Sequence, residues 1–135
     1  MSTTAQKTIL VVDDDPQIRK LITAILKREK YGVITAANGN LALKALENQA
    51  VDLVITDLIM PEKEGIETIM EMRQTHPSIP IIAISGGGKL NPKTYLNIAK
   101  NIGAVSTMTK PIDTADLKSM VKNLLCASDD QPSMD

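Results

Sequence analysis

The chain is poor in the residue types that mark several classes of protein. It contains no Trp and no Phe, two tyrosines (Tyr31 and Tyr95) and a single cysteine, Cys126. One cysteine excludes an internal disulfide and suits a reducing compartment, so we expect the cytoplasm. The core has to be packed from Ile, Leu, Val, Met and Ala, and no large ring is available as a moving part.

The chain also lacks a strong net charge and a long apolar run. Its formal net charge of -1 and pI near 5.8 give no global electrostatic reason to bind nucleic acid directly. No apolar stretch approaches the roughly 20 residues that cross a membrane. Residues 1–7 lack the basic and apolar regions of a signal peptide. We therefore expect no partner of either kind, and a single cytosolic domain over residues 7–126 between polar tails at 1–6 and 127–135.

The stretch that organises the chain is VDLVITDLIMP, residues 51–61. A short apolar run rich in β-branched residues ends there in Asp57, and the breakers Pro61 and Gly65 follow. Such a run predicts a strand that is buried on both faces of a parallel sheet. Asp57 would then lie at the carboxyl end of the strand, where open α/β sheets bind their ligands.

Other apolar runs also end in polar residues. Residues 8–12 precede Asp13, Asp14 and Asp15, residues 81–84 precede Ser85, and residues 104–109 precede Lys110 and Pro111. With a shorter run at 33–36, these segments alternate with stretches of helical spacing. The pattern predicts an α/β fold with a five-stranded parallel sheet of flavodoxin-like order 2-1-3-4-5 and five helices on both faces. One sheet edge would gather an acidic cluster, a hydroxyl and a lysine.

Helix starts and apolar faces are also predicted. Asp15 and Pro16 form an N-cap and first position, Asn91 and Pro92 open the fourth helix, and Asp113 caps the fifth. The inward residues expected are Ile18, Leu21, Ile22, Ile25 and Leu26 in the first helix, Leu41, Ala45 and Leu46 in the second (residues 40–48), and Leu117, Met120, Val121, Leu124 and Leu125 in the fifth.

The acidic cluster predicts a metal site. Three carboxylates at one edge, from Asp13, Asp14 and Asp57, raise each other's pKa, and a divalent cation removes the conflict. Mg²⁺ fits because it takes oxygen ligands and is usually held by one or two carboxylates plus phosphate oxygens. Asp15 is better explained as a helix cap.

Asp57 itself could be a metal ligand or a nucleophile. Carboxylates attack phosphoryl groups to form aspartyl phosphates, and the charge then needs a metal, a lysine and a hydroxyl around it. Ser85 could supply the hydroxyl and Lys110 the ammonium. Taken singly, Ser85 could also be a turn residue, and Lys110 could also be a surface charge. A cis bond between Lys110 and Pro111 would aim the lysine inward.

These residues together resemble a known family. VVDDD at 11–15, TDLIMP at 56–61 with Gly65, Ser85, and Lys110 with Pro111 are similar to the receiver domain of two-component response regulators, in its stand-alone, chemotaxis-regulator-like form. The resemblance covers residues 7 to 125. It implies that Asp57 accepts a phosphoryl group from a histidine kinase or phosphotransfer protein. It also implies four ligands for Mg²⁺: the carboxylates of Asp13, Asp14 and Asp57 and the backbone carbonyl of Ile59. Lys110 and Ser85 would contact the phosphoryl oxygens.

The resemblance further implies a switch rather than an enzyme, with no activity beyond self-phosphorylation and slow autodephosphorylation. The kinase would dock near the first helix and a downstream protein target near the fourth and fifth helices. Two alternatives remain open from the residues alone. One is a phosphotransferase that acts on a small molecule through an aspartyl phosphate, and the other is a phosphate-independent interaction module.

Two positions depart from the family pattern. Thr107 stands where the family usually has Tyr or Phe, so the aromatic half of the usual switch is missing. The stretch SGGGKLNP, residues 85–92, is longer than the common loop and contains three glycines. Because glycine is permissive in its backbone angles, the hypothesis is that phosphorylation orders this loop instead of rotating a ring.

Overall fold

The apolar runs form one parallel sheet. We describe a computed structural model over residues 6–58, 65–85, 97, 100, 101 and 103–129, with side chains up to Cys126. Its strands are β1 (Thr8–Val12), β2 (Gly32–Ala36), β3 (Leu53–Asp57), β4 (Ile81–Ser85) and β5 (Ser106–Thr109). They pair in parallel in the order β2-β1-β3-β4-β5. The predicted sheet and strand order are confirmed.

Four helices lie in the part of the chain that the structure describes. They are α1 (Pro16–Arg28), α2 (Gly39–Asn48), α3 (Gly65–Thr75) and α4 (Thr114–Asp129). Helix α4 is the fifth predicted helix, and it continues to Asp129, past the expected domain end at 126. The fourth predicted helix falls mostly outside the described residues, although positions 97, 100 and 101 are helical. Among the described helices, none has the length and apolarity to cross a membrane.

The predicted caps of the first and fifth helices are present, whereas the predicted start at Asn91 and Pro92 lies outside the described residues. The Asp15 side chain accepts a hydrogen bond from the Gln17 backbone N–H at 2.9 Å, and Pro16 occupies the first turn of α1. The Asp113 carboxylate accepts from the Asp116 backbone N–H at 3.0 Å at the start of α4. Each cap satisfies a backbone donor that the helix cannot satisfy internally. Both helices therefore begin directly after a strand end that carries site residues.

The core has two layers because β3 and β4 are buried on both faces. On one face the strands pack against α1 and α4, through Ile9, Val11, Leu53, Ile55, Ile82, Ile84, Ile22, Ile25, Leu26, Leu117, Val121 and Leu125. On the other face they pack against α2 and α3, through Leu10, Val12, Val54, Ile81, Ala83, Ala42, Leu46, Ile69 and Met72. Alternate residues along each strand therefore serve opposite layers.

Two residues predicted to face inward do not. Leu21 is 43% exposed and Leu41 is 48% exposed. In α1 the buried stripe is the narrow set Ile22, Ile25 and Leu26, and Leu21 lies at its flank. In α2 the buried stripe runs through Ala42 and Leu46, four residues apart, which turns Leu41 outward. The helical spacing alone did not distinguish the centre of each stripe from its edge.

The topology places the ends of β1 and β3 at one crevice. Strand β1 lies between β2 and β3, so the sheet continues from it in both directions. The α1 connection packs on one face and the α2 and α3 connections on the other. This is the switch point at which open α/β sheets leave a crevice for ligands. Asp13 and Asp14 follow β1 there, and Asp57 ends β3.

Candidate functional site

Three carboxylates meet at this crevice. Asp13, Asp14 and Asp57 each offer an oxygen, and these atoms all lie within 4.8 Å of one another. Asp13 is 1% exposed and Asp57 is 5% exposed, whereas Asp14 is exposed. The structure therefore brings together the three side chains that the sequence placed at strand ends, and Asp14 leaves the cluster open to solvent on one side.

Asp13 is held by hydrogen bonds to its main chain and to one carboxylate oxygen. Its backbone N–H donates to the Ala36 carbonyl at 3.2 Å, and its Oδ1 accepts from the Asp15 backbone N–H at 2.9 Å. Among the described residues, its buried Oδ2 has no hydrogen-bond partner and lies 3.1 Å from the Lys110 Nζ in an ion pair. Asp13 thus presents a single oxygen, Oδ2, to the cluster.

Lys110 reaches into the cluster from the end of β5. Its Nζ lies 3.2 Å from Asp57 Oδ2, to which it donates a hydrogen bond, and its backbone N–H donates to the Ser85 carbonyl at 2.9 Å. The bond between Lys110 and Pro111 is cis, and the inward direction expected for the lysine is confirmed. Burial alone would lower the pKa of Lys110, but the charges of Asp57 and Asp13 outweigh it and raise that pKa above its ordinary value. Lys110 is therefore cationic at neutral pH.

Ser85 ends β4 beside Asp57. It is 1% exposed, and its strand neighbour Ile84 is paired in register with Asp57. The hydroxyl is thus at the sheet edge where the sequence placed it. The backbone carbonyl of Ile59, which the family resemblance adds as a metal ligand, lies outside the described residues, as does the glycine loop at 86–88.

Gly65 sets the distance between α3 and the end of β3. A Cβ atom at this position would lie 2.0 Å from the Asp57 carbonyl oxygen and 2.5 Å from the Leu58 Cα. The Gly65 N–H donates to the Leu58 carbonyl at 2.9 Å, and the Leu58 N–H donates to the Ile84 carbonyl at the same distance. Sequence reasoning treated Gly65 as a breaker, but its role is a close backbone approach that only glycine permits.

Arg19 is a site residue that sequence reasoning missed. Its Nη1 donates to the backbone carbonyl of Asp13 at 2.7 Å. The residue lies one turn into α1, so a long side chain can reach back to the carbonyl of Asp13, two residues before the Asp15 cap. The sequence signal was an arginine soon after the acidic run, which in a helix normally indicates a solvated surface.

The cluster fits a divalent cation. It supplies carboxylate oxygens, the ligands that Mg²⁺ prefers, and Asp13 contributes a buried oxygen, Oδ2, that forms an ion pair with Lys110. The exposed Asp14 leaves room for the water ligands that Mg²⁺ retains. Lys110 lies against the same oxygens, so a cation would share Asp13 and Asp57 with the lysine.

Two grooves are lined by residues that the structure describes, one beside β5 and the other beside α1. One, of about 810 Å³, runs along β5 and α4, and its lining includes Thr107, Met108, Met120 and Leu124 together with Asp113 and Asp116. Thr107, the position of the missing aromatic, therefore lines an open groove. The other, of about 380 Å³, lies beside α1 and is lined by Pro16, Arg19, Lys20, Thr23, Ala24 and Thr35.

Comparison with known proteins gives one consistent family. The model of the response regulator receiver domain matches residues 9–122. The alkaline phosphatase synthesis transcriptional regulatory protein PhoP of Bacillus subtilis is 35% identical over 123 residues, which cover 91% of this chain and 50% of the relative. The transcriptional regulatory protein GlrR of Escherichia coli is 35% identical over 117 residues, covering 87% of this chain and 26% of the relative. The chain thus spans half or less of the length of these two relatives.

Two solved structures are similar to this chain over their whole length. A CheY-like receiver domain protein from Methanospirillum hungatei has a TM-score of 0.86 and 29% identity, with 95% of this chain and 100% of that chain covered. The response regulator TrrA of Thermotoga maritima, solved in complex with Mg²⁺ and BeF, has a TM-score of 0.79 and 35% identity, with 89% and 100% covered. In both cases, the matched chain contains little beyond this fold.

Proposed function

The chain belongs to the receiver domains of two-component response regulators, and from this premise we propose that Asp57 is its phosphoryl acceptor. The observation that carries the proposal is the position of Asp57. It ends a fully buried strand, lies in the acidic cluster and has the Lys110 ammonium 3.2 Å from one carboxylate oxygen. A nucleophilic carboxylate with a fixed cation beside it is what acyl phosphate formation requires.

The transfer is a displacement at phosphorus. A carboxylate oxygen of Asp57 attacks the phosphorus of a phosphohistidine, a P–O bond forms, and the P–N bond breaks. The electron pair of that bond leaves with the histidine ring, which takes up a proton from water. Lys110 offsets the negative charge of the phosphoryl oxygens, and the Ser85 hydroxyl, at the neighbouring strand end, donates to one of them.

Asp13, Asp14 and Asp57 would hold Mg²⁺, with the Ile59 carbonyl as a further ligand. When bound, the cation supplies positive charge against the phosphoryl oxygens and the carboxylates. The residues themselves divide the work. Asp13 directs one oxygen inward from a fixed main chain, Asp14 faces solvent, and Lys110 is already paired with Asp13 and Asp57 before any phosphoryl group arrives.

The proposed partners are proteins. A histidine kinase or phosphotransfer protein would reach Asp57 across the α1 surface, since α1 begins directly behind the acidic cluster. A downstream protein target would bind at the groove between β5 and α4, where Thr107 replaces the usual aromatic. We propose a cytoplasmic switch without direct nucleic acid or membrane binding. The relatives are named as transcriptional regulators, but this chain spans only part of their length.

The test is intact mass after incubation with acetyl phosphate, with and without Mg²⁺. We expect a Mg²⁺-dependent gain of one phosphoryl group that Asp57→Asn abolishes. The matched control is Asp52→Asn, because Asp52 lies just before β3, where it accepts a hydrogen bond from the Thr8 N–H at 2.8 Å. That variant should be phosphorylated like the wild type.

Other outcomes identify the alternatives. If neither acetyl phosphate nor a phosphorylated phosphotransfer protein labels the wild type, the chain is a phosphate-independent interaction module. If the label passes rapidly from Asp57 to a small-molecule alcohol, the chain is a phosphotransferase. Labelling that persists in Asp57→Asn would remove Asp57 from the acceptor role.

A further inference from the structure

The contact between Arg19 and Asp13 joins a helix surface to the acidic cluster. The Arg19 guanidinium donates to the Asp13 carbonyl at 2.7 Å, in a partly buried position. A hydrogen bond with a charged donor at this distance is of the stronger kind. Arg19 also lines the 380 Å³ groove beside α1, together with Lys20 and Thr35. The same side chain therefore contacts the main chain of Asp13 and forms part of an accessible groove.

Asp13 is tied at three points, and Arg19 supplies one of them. The backbone N–H bonds Ala36 on β2, Oδ1 accepts from the Asp15 N–H in the α1 cap, and the carbonyl accepts from Arg19. What remains is Oδ2, which points to the cluster, where it forms the ion pair with the Lys110 ammonium at 3.1 Å. Arg19 fixes the peptide that follows Asp13, and the Asp15 N–H in the turn into α1 fixes Oδ1. Together these two contacts set the direction of the other carboxylate oxygen, Oδ2.

We propose that Arg19 is a positioning residue for the divalent cation, acting through the carbonyl of Asp13 on the direction of Asp13 Oδ2. The proposal rests on the Mg²⁺ site of the proposed function. Partners that orient metal ligands from behind typically contribute 10-fold to 100-fold to metal affinity. Arg19 acts on the main chain of the ligand, so an effect of about tenfold, at the lower end of that range, is expected.

Charge alone predicts the opposite sign. Arg19 and a divalent cation repel each other, so if the guanidinium acted only as a nearby charge, removing it would tighten cation binding. If it positions Asp13, removing it weakens binding in spite of the relieved repulsion. Lys20 is the matched control, because it carries the same charge at the next position of α1 and is exposed. A comparison of Arg19 and Lys20 variants therefore distinguishes a positioning effect on Asp13 from an effect of positive charge alone.

The experiment is a Mg²⁺ titration of the full chain followed by backbone amide chemical shifts, without any phosphoryl donor. We expect Arg19→Met to weaken Mg²⁺ binding about tenfold, and Lys20→Met to leave it unchanged or slightly tighter. Arg19→Lys keeps the charge and a donor group on a different stem, so its affinity should lie between those of wild type and Arg19→Met. In the Mg²⁺-free protein, the carbonyl ¹³C shift of Asp13 should move in Arg19→Met and stay constant in Lys20→Met.

The outcomes distinguish the positioning role of Arg19 from the existence of the Mg²⁺ site. Equal or tighter Mg²⁺ binding by Arg19→Met, with a wild type that binds, overturns the positioning role and leaves the Mg²⁺ site intact. A wild type that binds no Mg²⁺ overturns the cation part of the proposed function and this inference with it. Urea unfolding without Mg²⁺ measures any loss of fold stability, which by itself would not change the affinity of the folded protein.

Discussion

At the scale of the residue, Lys110 allows two buried carboxylates to lie side by side. Asp13 and Asp57 are both nearly inaccessible, and each has an oxygen within 3.2 Å of the same ammonium. Burial alone would lower the pKa of Lys110, but the attraction of its ammonium to the two carboxylates raises that pKa. The site is thus charged and compact before a cation or phosphoryl group enters it, which is the preorganisation that phosphoryl transfer uses.

Gly65 gives a prediction about backbone packing. Gly65→Ala should lower the free energy of unfolding by roughly 2–4 kcal/mol, because its Cβ would overlap the Asp57 carbonyl and Leu58 Cα, neither of which can move without shifting the strand end. Gly32→Ala is the control, since its Cβ would meet side-chain atoms of Gln6 and Thr8 at 3.4 Å, an ordinary contact. Urea unfolding monitored by circular dichroism measures both, and equal stabilities for the two variants would contradict the prediction.

The site residues that the sequence predicted share one property. Asp13, Asp14, Asp57, Ser85 and Lys110 each follow or end an apolar run, and parallel strands bring such positions to one edge. Arg19 could not be predicted in this way, because its contact depends on how a flexible side chain folds back from α1 to a carbonyl. Unlike a helix cap, a hydrogen bond from a long helix side chain to the carbonyl of Asp13, six residues earlier, has no characteristic residue pattern.

At the scale of the element, α1 and α4 are joined near Tyr31. Glu29 and Lys118 form an ion pair at 3.7 Å between the two helices, and Tyr31 packs against the core layer that both helices share. Burial, and then the nearby Cys126 and Glu29, raise the pKa of Tyr31 above its ordinary value of 10.0. The phenol is therefore a reporter for this helix pair.

We predict that Tyr31 titrates above pH 10 in the folded protein. Because its pKa is raised on folding, the neutral phenol contributes stability that is complete below pH 10.0 and is lost as pH rises through the folded pKa. The chain has two tyrosines, so absorbance at the tyrosinate band in a Tyr95→Phe background reports Tyr31 alone. The urea-unfolded chain is the control, and an equal or lower pKa in the folded state would refute the assignment.

Element patterns explain what else the sequence could and could not provide. The parallel sheet followed from alternation and connection rules, its strand order from the flavodoxin-like fold, and the caps at Asp15 and Asp113 from local chemistry. The rotation of a helix about its axis did not follow. Leu21 and Leu41 show that an apolar residue one position from the buried stripe can face water, because the final angle is set by the sheet beneath and not by the helix.

At the scale of the whole molecule, a rigid two-layer core supports a site with unfavourable charge. Both faces of the sheet are covered by aliphatic side chains, so the strand ends are fixed in place. The carboxylates are thereby kept close in spite of their repulsion. Sites of this kind reduce stability for the sake of function, and a substitution that relaxes them can stabilise the protein.

Asp14→Asn tests this balance. Without Mg²⁺, the free energy of unfolding of the variant should be about 0.5 kcal/mol higher than that of wild type, because the substitution removes one of three negative charges that repel each other. The gain is small because Asp14 is exposed and solvent already screens its charge. With Mg²⁺ the order should reverse. A ligand of the folded state stabilises it by RT ln(1 + [L]/Kd), or about 1.4 kcal/mol for each tenfold rise above Kd, and the variant should lose much of this gain.

The control is Glu47→Gln on α2, which removes the same charge from an exposed position that is not part of the cluster. Urea unfolding at several Mg²⁺ concentrations should give parallel stabilisation for wild type and Glu47→Gln, and a nearly flat dependence for Asp14→Asn. If Mg²⁺ stabilises Asp14→Asn as strongly as wild type, the cation does not use Asp14. The exposed side of the crevice would then be an entrance to the metal site and not part of its ligand set.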